Sequence, residues 1–216
     1  SVVADQTRLR DPVAARAFQT LTGASAQAIA DLDRYRQMHE AGNAVMNLVG
    51  PASLPDFWNR HALDSAQLLP LAPDARVWAD LGAGAGLPGV VLAVLLKEAP
   101  EAKVWLIDSQ TKRCRFLSDV VSALSLPAEV VNARAESLSI KADVVTARAC
   151  APLDRLLQFA EPYRRRGAEA LFLKGEKAED EIAEARRHHR FDAEVLPSAS
   201  DPRGRILRIR SRQVAA

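Results

Sequence analysis

A chain of 216 residues, 48% apolar and 26% charged, can bury one substantial core with an appended element and is too short for two full-sized domains. No apolar run approaches the roughly 18–20 residues of a membrane-crossing helix, and the opening Ser1-Val-Val-Ala-Asp-Gln-Thr-Arg8 lacks the pattern of a secretory signal, so neither membrane insertion nor export is expected. A net charge of +2 decides nothing about partners, while Cys114 and Cys150 offer no Cys-x-x-Cys spacing and adjacent His188 and His189 diverge on a helix, so we expect a reducing, cytoplasmic setting and no metal.

In chain order, Ala24 to Val45 carries Ile29, Leu32, Tyr35 and Met38 or His39 at three- and four-residue steps, the spacing of an amphipathic helix. A break at Asn47-Leu-Val-Gly-Pro51 leads to a second helical stretch from Leu54 to Leu69, stopped by Pro70 and Pro73. Residues 1–72 therefore read as an N-terminal helical extension. From Arg76 the texture changes to short apolar runs separated by helical segments, as in a parallel sheet covered by helices. The expected strands are Val77–Leu81, Lys103–Asp108, Glu129–Asn132, Asp143–Ala147 and Ala170–Lys174, with helices starting near Pro88, Lys112, Pro152 and Glu176. Ala193–Leu196 and Arg205–Ile209, joined across Asp201-Pro-Arg-Gly204, predict an antiparallel hairpin at the end of this mostly parallel seven-stranded sheet, which occupies residues 73–216.

Chemistry concentrates after the first strand. Asp80-Leu-Gly82-Ala-Gly84-Ala-Gly86-Leu87-Pro88-Gly89 runs from a strand into the apolar helix Val90-Val-Leu-Ala-Val-Leu-Leu, and its glycines permit a tight turn and close backbone approach to a ligand. Gly84, Gly86 and Gly89 also satisfy G-x-G-x-x-G, a weak signal by itself. Asp108, ending the second strand, stands where a carboxylate accepts the hydroxyls of an adenosine ribose. Two features favour S-adenosylmethionine (SAM) over a dinucleotide: a second acid, Asp80, suits a cationic ligand, and the hairpin replaces a second mononucleotide-binding half. Lys112 and Arg113, able to pair with a 2′-phosphate, keep an NADP-dependent oxidoreductase open. Glu136, in Arg134-Ala135-Glu136, follows the third strand where an adenine edge or a plain turn would lie, and Arg148 ends the fourth strand at the ligand-binding edge of the sheet. His61, Asp64 and Ser65 have the residue types of a hydrolytic triad but share one helix face, which favours hydrogen bonds anchoring the extension to the core. Basic clusters at Lys112-Arg113-Cys-Arg115, Arg164-Arg165-Arg166, Arg186-Arg187-His-His-Arg190 and Arg203, Arg205, Arg208, Arg210 and Arg212 read singly as solvated faces or helix ends.

The segments Asn47-Leu-Val, Arg60-His61-Ala-Leu-Asp64-Ser65, Asp80 to Gly89, Asp108-Ser-Gln-Thr-Lys112-Arg113-Cys-Arg-Phe116-Leu117, Arg134-Ala-Glu136, Thr146-Ala-Arg148-Ala and Leu173-Lys174-Gly175 together resemble the glucose-inhibited division protein B family, the bacterial small-subunit (16S) ribosomal RNA guanine-N7 methyltransferases. One departure is Thr146, where many relatives are expected to carry Ser; the hydroxyl is kept. The resemblance implies a Rossmann-like class I SAM-dependent methyltransferase of α/β fold, monomeric, acting on 16S rRNA or the small ribosomal subunit. It implies cofactor contacts from Gly82, Leu87, Ala135, Glu136 and Arg148, with Asp108 on the ribose, beside Asp80, Gly84 and Gly86 of the loop. Asn47, Arg134 and Lys174, with the basic pair Lys112 and Arg113, become candidates for holding RNA. The chain has no Asn-Pro-Pro-Tyr or Asp-Pro-Pro-Tyr motif and no cysteine in a Pro-Cys setting. Guanine N7 has a lone pair and no proton, so its methylation requires no general base, and no catalytic residue is assigned. The same cofactor serving a protein or small-molecule acceptor, and a catalytically silent RNA-binding module, are the other readings.

Overall fold

The computed structural model describes residues 11–46, 56–148 and 151–211. Helix α1 (Pro12–Thr22) starts with Pro12 at its first turn and Asp11 accepting the Ala14 N–H at 3.0 Å, and ends at Gly23 in the left-handed region. Ser25 Oγ accepts the Ala28 N–H at the start of α2 (Ala26–Met46), whose stripe of Ile29, Leu32 and Tyr35 is buried as its spacing predicts.

The second predicted helix differs from its expectation. Leu54 lies outside the described residues. Trp58–Leu63 forms a π-helical turn that passes into one α-turn, α3 (Asp64–Ala66), and Pro70 sits inside a 3-10 turn, Leu69–Leu71, instead of stopping a regular helix. Proline lacks only an N–H that the first turn of a helix leaves unused, so a new short turn can begin on it.

Seven strands follow: β1 (Val77–Leu81), β2 (Lys103–Asp108), β3 (Ala128–Asn132), β4 (Val144–Arg148), β5 (Glu169–Lys174), β6 (Ala193–Pro197) and β7 (Arg205–Ile209). Helices α4 (Gly89–Leu95), α5 (Thr111–Leu124), α6 (Leu153–Arg164) and α7 (Ala178–Ala185) connect them. The order is β3-β2-β1-β4-β5-β7-β6, with the first five parallel and β7 antiparallel to both its neighbours. The predicted hairpin is present, and its second strand is the inner one, leaving β6 at the edge. Among the described residues no helix is long and apolar enough to cross a membrane.

Alternation along the strands divides the interior between two faces. Trp78, Val104, Leu106, Val144 and Leu171 pack with α4 and α5 and with Phe18, Leu32, Tyr35, Phe57 and Trp58 from the N-terminal helices. Ala79, Ile107, Val145, Ala147 and Phe172 pack with α6 and α7. The N-terminal helices thus share one continuous core with the sheet. Leu32→Ala is expected to cost about 2–5 kcal/mol, read as a lower midpoint of one cooperative denaturant transition. A separate early transition, with the sheet unaffected, would contradict a shared core.

Candidate functional site

β1 and β4 are neighbours in the sheet, and their crossovers leave to opposite faces, which opens a crevice beyond their carboxyl ends. The glycine-rich loop emerges there. Gly82, Gly84 and Gly86 have φ of 72°, 55° and 100°, the left-handed region that glycine enters without steric cost. Two strand-end carboxylates hold the loop. Asp80 Oδ2 accepts the Gly89 N–H at 2.8 Å, and Asp108 Oδ2 accepts the Gly84 N–H at 2.9 Å while its Oδ1 takes the Gln110 N–H at 2.8 Å. A third tie comes from the extension, where the buried Tyr35 hydroxyl donates to the Ala85 carbonyl at 2.6 Å. Side chains fit poorly in this wrap: a Cβ on Gly86 would lie 2.9 Å from the Tyr35 hydroxyl, and one on Gly89 2.6 Å from Asp80 Oδ2.

Asp80 is fully enclosed. Burial raises its pKa to about 7 against the lowering effect of the Gly89 N–H, with Asp108 raising it further and Arg148 lowering it. Asp80 Oδ1 and the buried Thr146 Oγ1, paired with it across β1 and β4, have no hydrogen-bond partner among the described residues. Polar atoms of this kind at strand ends suit a polar or cationic ligand.

Arg148, at the end of β4, turns to the N-terminal segment. Its Nη2 lies 3.0 Å from His61 Nδ1, and its Nη1 lies 3.6 Å from Asp64 Oδ2. Asp64 Oδ1 accepts the Ser200 hydroxyl at 2.6 Å from the β6–β7 turn, and Ser65 Oγ donates to the His61 carbonyl. The residue types of a hydrolytic triad therefore form anchoring bonds, with the serine hydroxyl given to a backbone carbonyl and not to the imidazole. His61 receives a guanidinium N–H and is neutral. Burial first and Arg148 second lower its pKa to about 3, and the same two causes lower that of the neighbouring His39 to about 4. Both His39 ring nitrogens are buried without partners among the described residues.

The remaining predicted residues divide by position. Leu87 is buried in the loop. Ala135 and Glu136 form a 3-10 turn beside Asp108, whose carbonyl accepts the Ala133 N–H, and the Ala135 carbonyl takes the Tyr163 hydroxyl. Arg113 stands 3.8 Å from Asp108, Lys112 is exposed, and Arg134 is 80% exposed with Glu136 at 3.8 Å. Lys174 is placed differently from these: its ammonium donates to the Ala151 carbonyl at 2.7 Å and Glu181 at 3.0 Å, and its side chain is only 6% exposed. That geometry joins β5 to α7 and gives RNA no free ammonium. Asn47 lies outside the described residues. Tyr35 and His39 sit on the apolar stripe of α2, so their spacing reads as core; a buried Tyr hydroxyl needs a partner, which is the signal that could have found Tyr35. Among the described residues no cluster of His, Cys, Asp or Glu could hold a metal.

The imidazoles set an acid limit. Above pH 6.5 His39 is neutral whether folded or unfolded; as pH falls from 6.5 towards 4, only the unfolded chain takes the proton and stability is lost. His39→Phe is expected to match the wild type near neutrality and to gain on it below pH 6.5, by at most about 1.4 kcal/mol per pH unit. Parallel stability profiles for the two proteins would contradict the buried neutral imidazole.

A family model described as rRNA small subunit methyltransferase G, GidB, matches residues 28–204. Proteins named ribosomal RNA small subunit methyltransferase G are similar over most of their length. The one from Caulobacter vibrioides strain NA1000 is 58% identical over 91% of this chain and 91% of its own, and that from Caulobacter sp. strain K31 is 60% identical over 93% and 90%. Among solved structures, a SAM-dependent methyltransferase from Aquifex aeolicus matches with a TM-score of 0.59 at 17% identity, covering 79% of this chain and 98% of that one. The cofactor-bound Rv0187 from MTB matches with a TM-score of 0.59 at 19% identity, covering 95% and 100%. At such identities these two matches establish the Rossmann-like class I methyltransferase fold alone. The sequence matches go further: the chain belongs to the GidB family, rRNA small subunit methyltransferase G.

Proposed function

We propose that this chain transfers the methyl group of SAM to N7 of a guanine in small-subunit (16S) ribosomal RNA, with SAM seated on the loop between Asp80 and Asp108. The observation that carries the reading is that loop, held by two acids at the β1/β4 switch point in a chain of the GidB family. The residues suit the cofactor. Gly82, Gly84 and Gly86 bring bare backbone to the crevice, Leu87 covers one side, and Asp108 retains lone pairs for ribose hydroxyls. The turn at Ala135 and Glu136 borders the adenine side, and Arg148 braces the wall behind the methionine end.

SAM supplies an activated methyl on a cationic sulfur. The protein has to place the guanine edge in line with it, and N7 presents a lone pair with no proton to remove. The product base is cationic, which favours keeping Lys and Arg on the phosphates and away from N7. Lys112, Arg113 and Arg134 are exposed or half-exposed near the loop and suit that task; Asn47 remains an RNA candidate by resemblance. In this reading α1, α2 and the turns from Trp58 to Leu71 cover the site, and the sheet with its flanking helices is the cofactor domain. A substrate made of ribosomal RNA places the enzyme in the cytoplasm.

Labelled methyl from SAM should enter RNA of small subunits and no ribosomal protein; label in protein alone would overturn the acceptor. Gly84→Asp, which sets a second carboxylate against Asp108, should weaken SAM binding by about 100-fold or more in calorimetric titration, and tight NADP binding without SAM binding would reverse the cofactor assignment. Asp80 also gives affinity a pH dependence. With its pKa near 7 and a cationic ligand favouring the carboxylate, SAM affinity should fall below pH 7 by up to about tenfold per unit, and Asp80→Asn should remove that slope.

A further inference from the structure

Arginines from three separate basic clusters of the sequence meet at one place. Arg164 ends α6, Arg186 follows α7, Arg190 precedes β6 and Arg210 follows β7. Ile209 pairs with Ala170 at the beginning of β5 and with Ala193 at the beginning of β6, so Arg210 lies at the sheet edge opposite the glycine loop. The four arginines line a cavity of about 520 Å³ whose wall holds one carboxylate, Asp192.

Arg164 stands 3.9 Å from Glu161, and ion pairing separates the other three arginines from their sequence neighbours. Arg165 pairs with Glu161, Arg187 with Glu184, and Arg208 with Glu169 and Glu194. Arg186, Arg190 and Arg210 are exposed and form no ion pair among the described residues. Arg186 is restrained over the Phe191 ring, 5.6 Å from its centroid. Arg164 is enclosed and donates to the Arg210 carbonyl at 3.2 Å, which fixes the end of β7 as part of the wall. In a chain of net charge +2, the meeting of Arg186, Arg190 and Arg210 without ion-pair partners among the described residues is local and not a consequence of overall basicity.

We propose that this pocket is a second RNA contact, binding backbone phosphates of the substrate rRNA at a point remote from the methylated base. The proposal rests on the functional reading above. Guanidinium forks match phosphate oxygens two at a time, and contacts of this kind fix register and orientation without reading sequence. Strands of five or six residues set the two sheet edges about 17–20 Å apart, so one ligand reaches both only if it is a polymer or a larger assembly. Ribosomal RNA meets that requirement and carries a phosphate at every nucleotide.

The test compares wild type with the triple variant Arg186→Gln, Arg190→Gln, Arg210→Gln, and with the charge-retaining triple Lys variant, on small subunits from cells lacking the enzyme. The Gln variant should raise KM for subunits at least tenfold, with kcat and SAM affinity unchanged, and should reduce the slope of log affinity against log salt by about 2–3, near 0.7–0.9 per arginine. The Lys variant should restore the salt slope. On the wild type, RNA cross-links should map to the peptide spanning residues 186–192. Unchanged KM and salt slope in the Gln variant, or cross-links confined to the loop side, would overturn the second contact, as would an unchanged KM with lost binding to anionic phospholipid vesicles. Failure of the wild type to methylate the subunits is a different result and overturns the functional reading itself.

Discussion

Two carboxylates at neighbouring strand ends decide the shape of the cofactor loop. Asp80 holds the Gly89 N–H where α4 begins, and Asp108 holds the Gly84 N–H at the loop's middle. From Asp80 to Gly89 the chain turns through three residues of positive φ, and a Cβ on Gly89 would strike both Leu106 and Asp80. The acids and the glycines therefore depend on one another: the carboxylates accept backbone N–H groups because no side chains stand between. Asp80 remains enclosed with one oxygen unsatisfied among the described residues, an unfavourable arrangement that a cationic ligand offsets.

The N-terminal helices are joined to this site by side-chain contacts. Tyr35 reaches from α2 to the Ala85 carbonyl, and Arg148 reaches from β4 to His61 and Asp64. Ser200 of the β6–β7 turn closes the chain of contacts on Asp64. Three distant parts of the sequence thus meet around one guanidinium.

Much of this was legible in the residues. Val77–Leu81, Lys103–Asp108 and Arg205–Ile209 form strands with the bounds their apolar runs predict, since buried strands flanked by polar turns have a clear local pattern. Pairing is not local, and the insertion of β7 between β5 and β6 had no signature in the hairpin itself. A π-helical turn and an α-helix differ by one step in hydrogen bonding, so the apolar spacing of Trp58 to Leu63 cannot tell them apart. Lys174 is an RNA candidate by resemblance alone, and nothing local to it shows that its ammonium is taken by Glu181 from the next helix and by the Ala151 carbonyl from an earlier loop. The arginine pocket was invisible for the same reason: its members belong to clusters that converge only when β7 lies beside β5 and β6.

In the function proposed for this chain, the loop with its two acids positions a cofactor against an acceptor atom that needs no base. Its central claim is methylation at a guanine N7 of the small-subunit RNA, and mapping by N7-specific strand scission tests it most directly. RNA from cells with and without the chain would be compared, together with RNA from cells carrying the Gly84→Asp form. The account predicts scission at a guanine in the small-subunit RNA that disappears when the chain is absent or altered in the loop. Identical scission patterns in all three would contradict it.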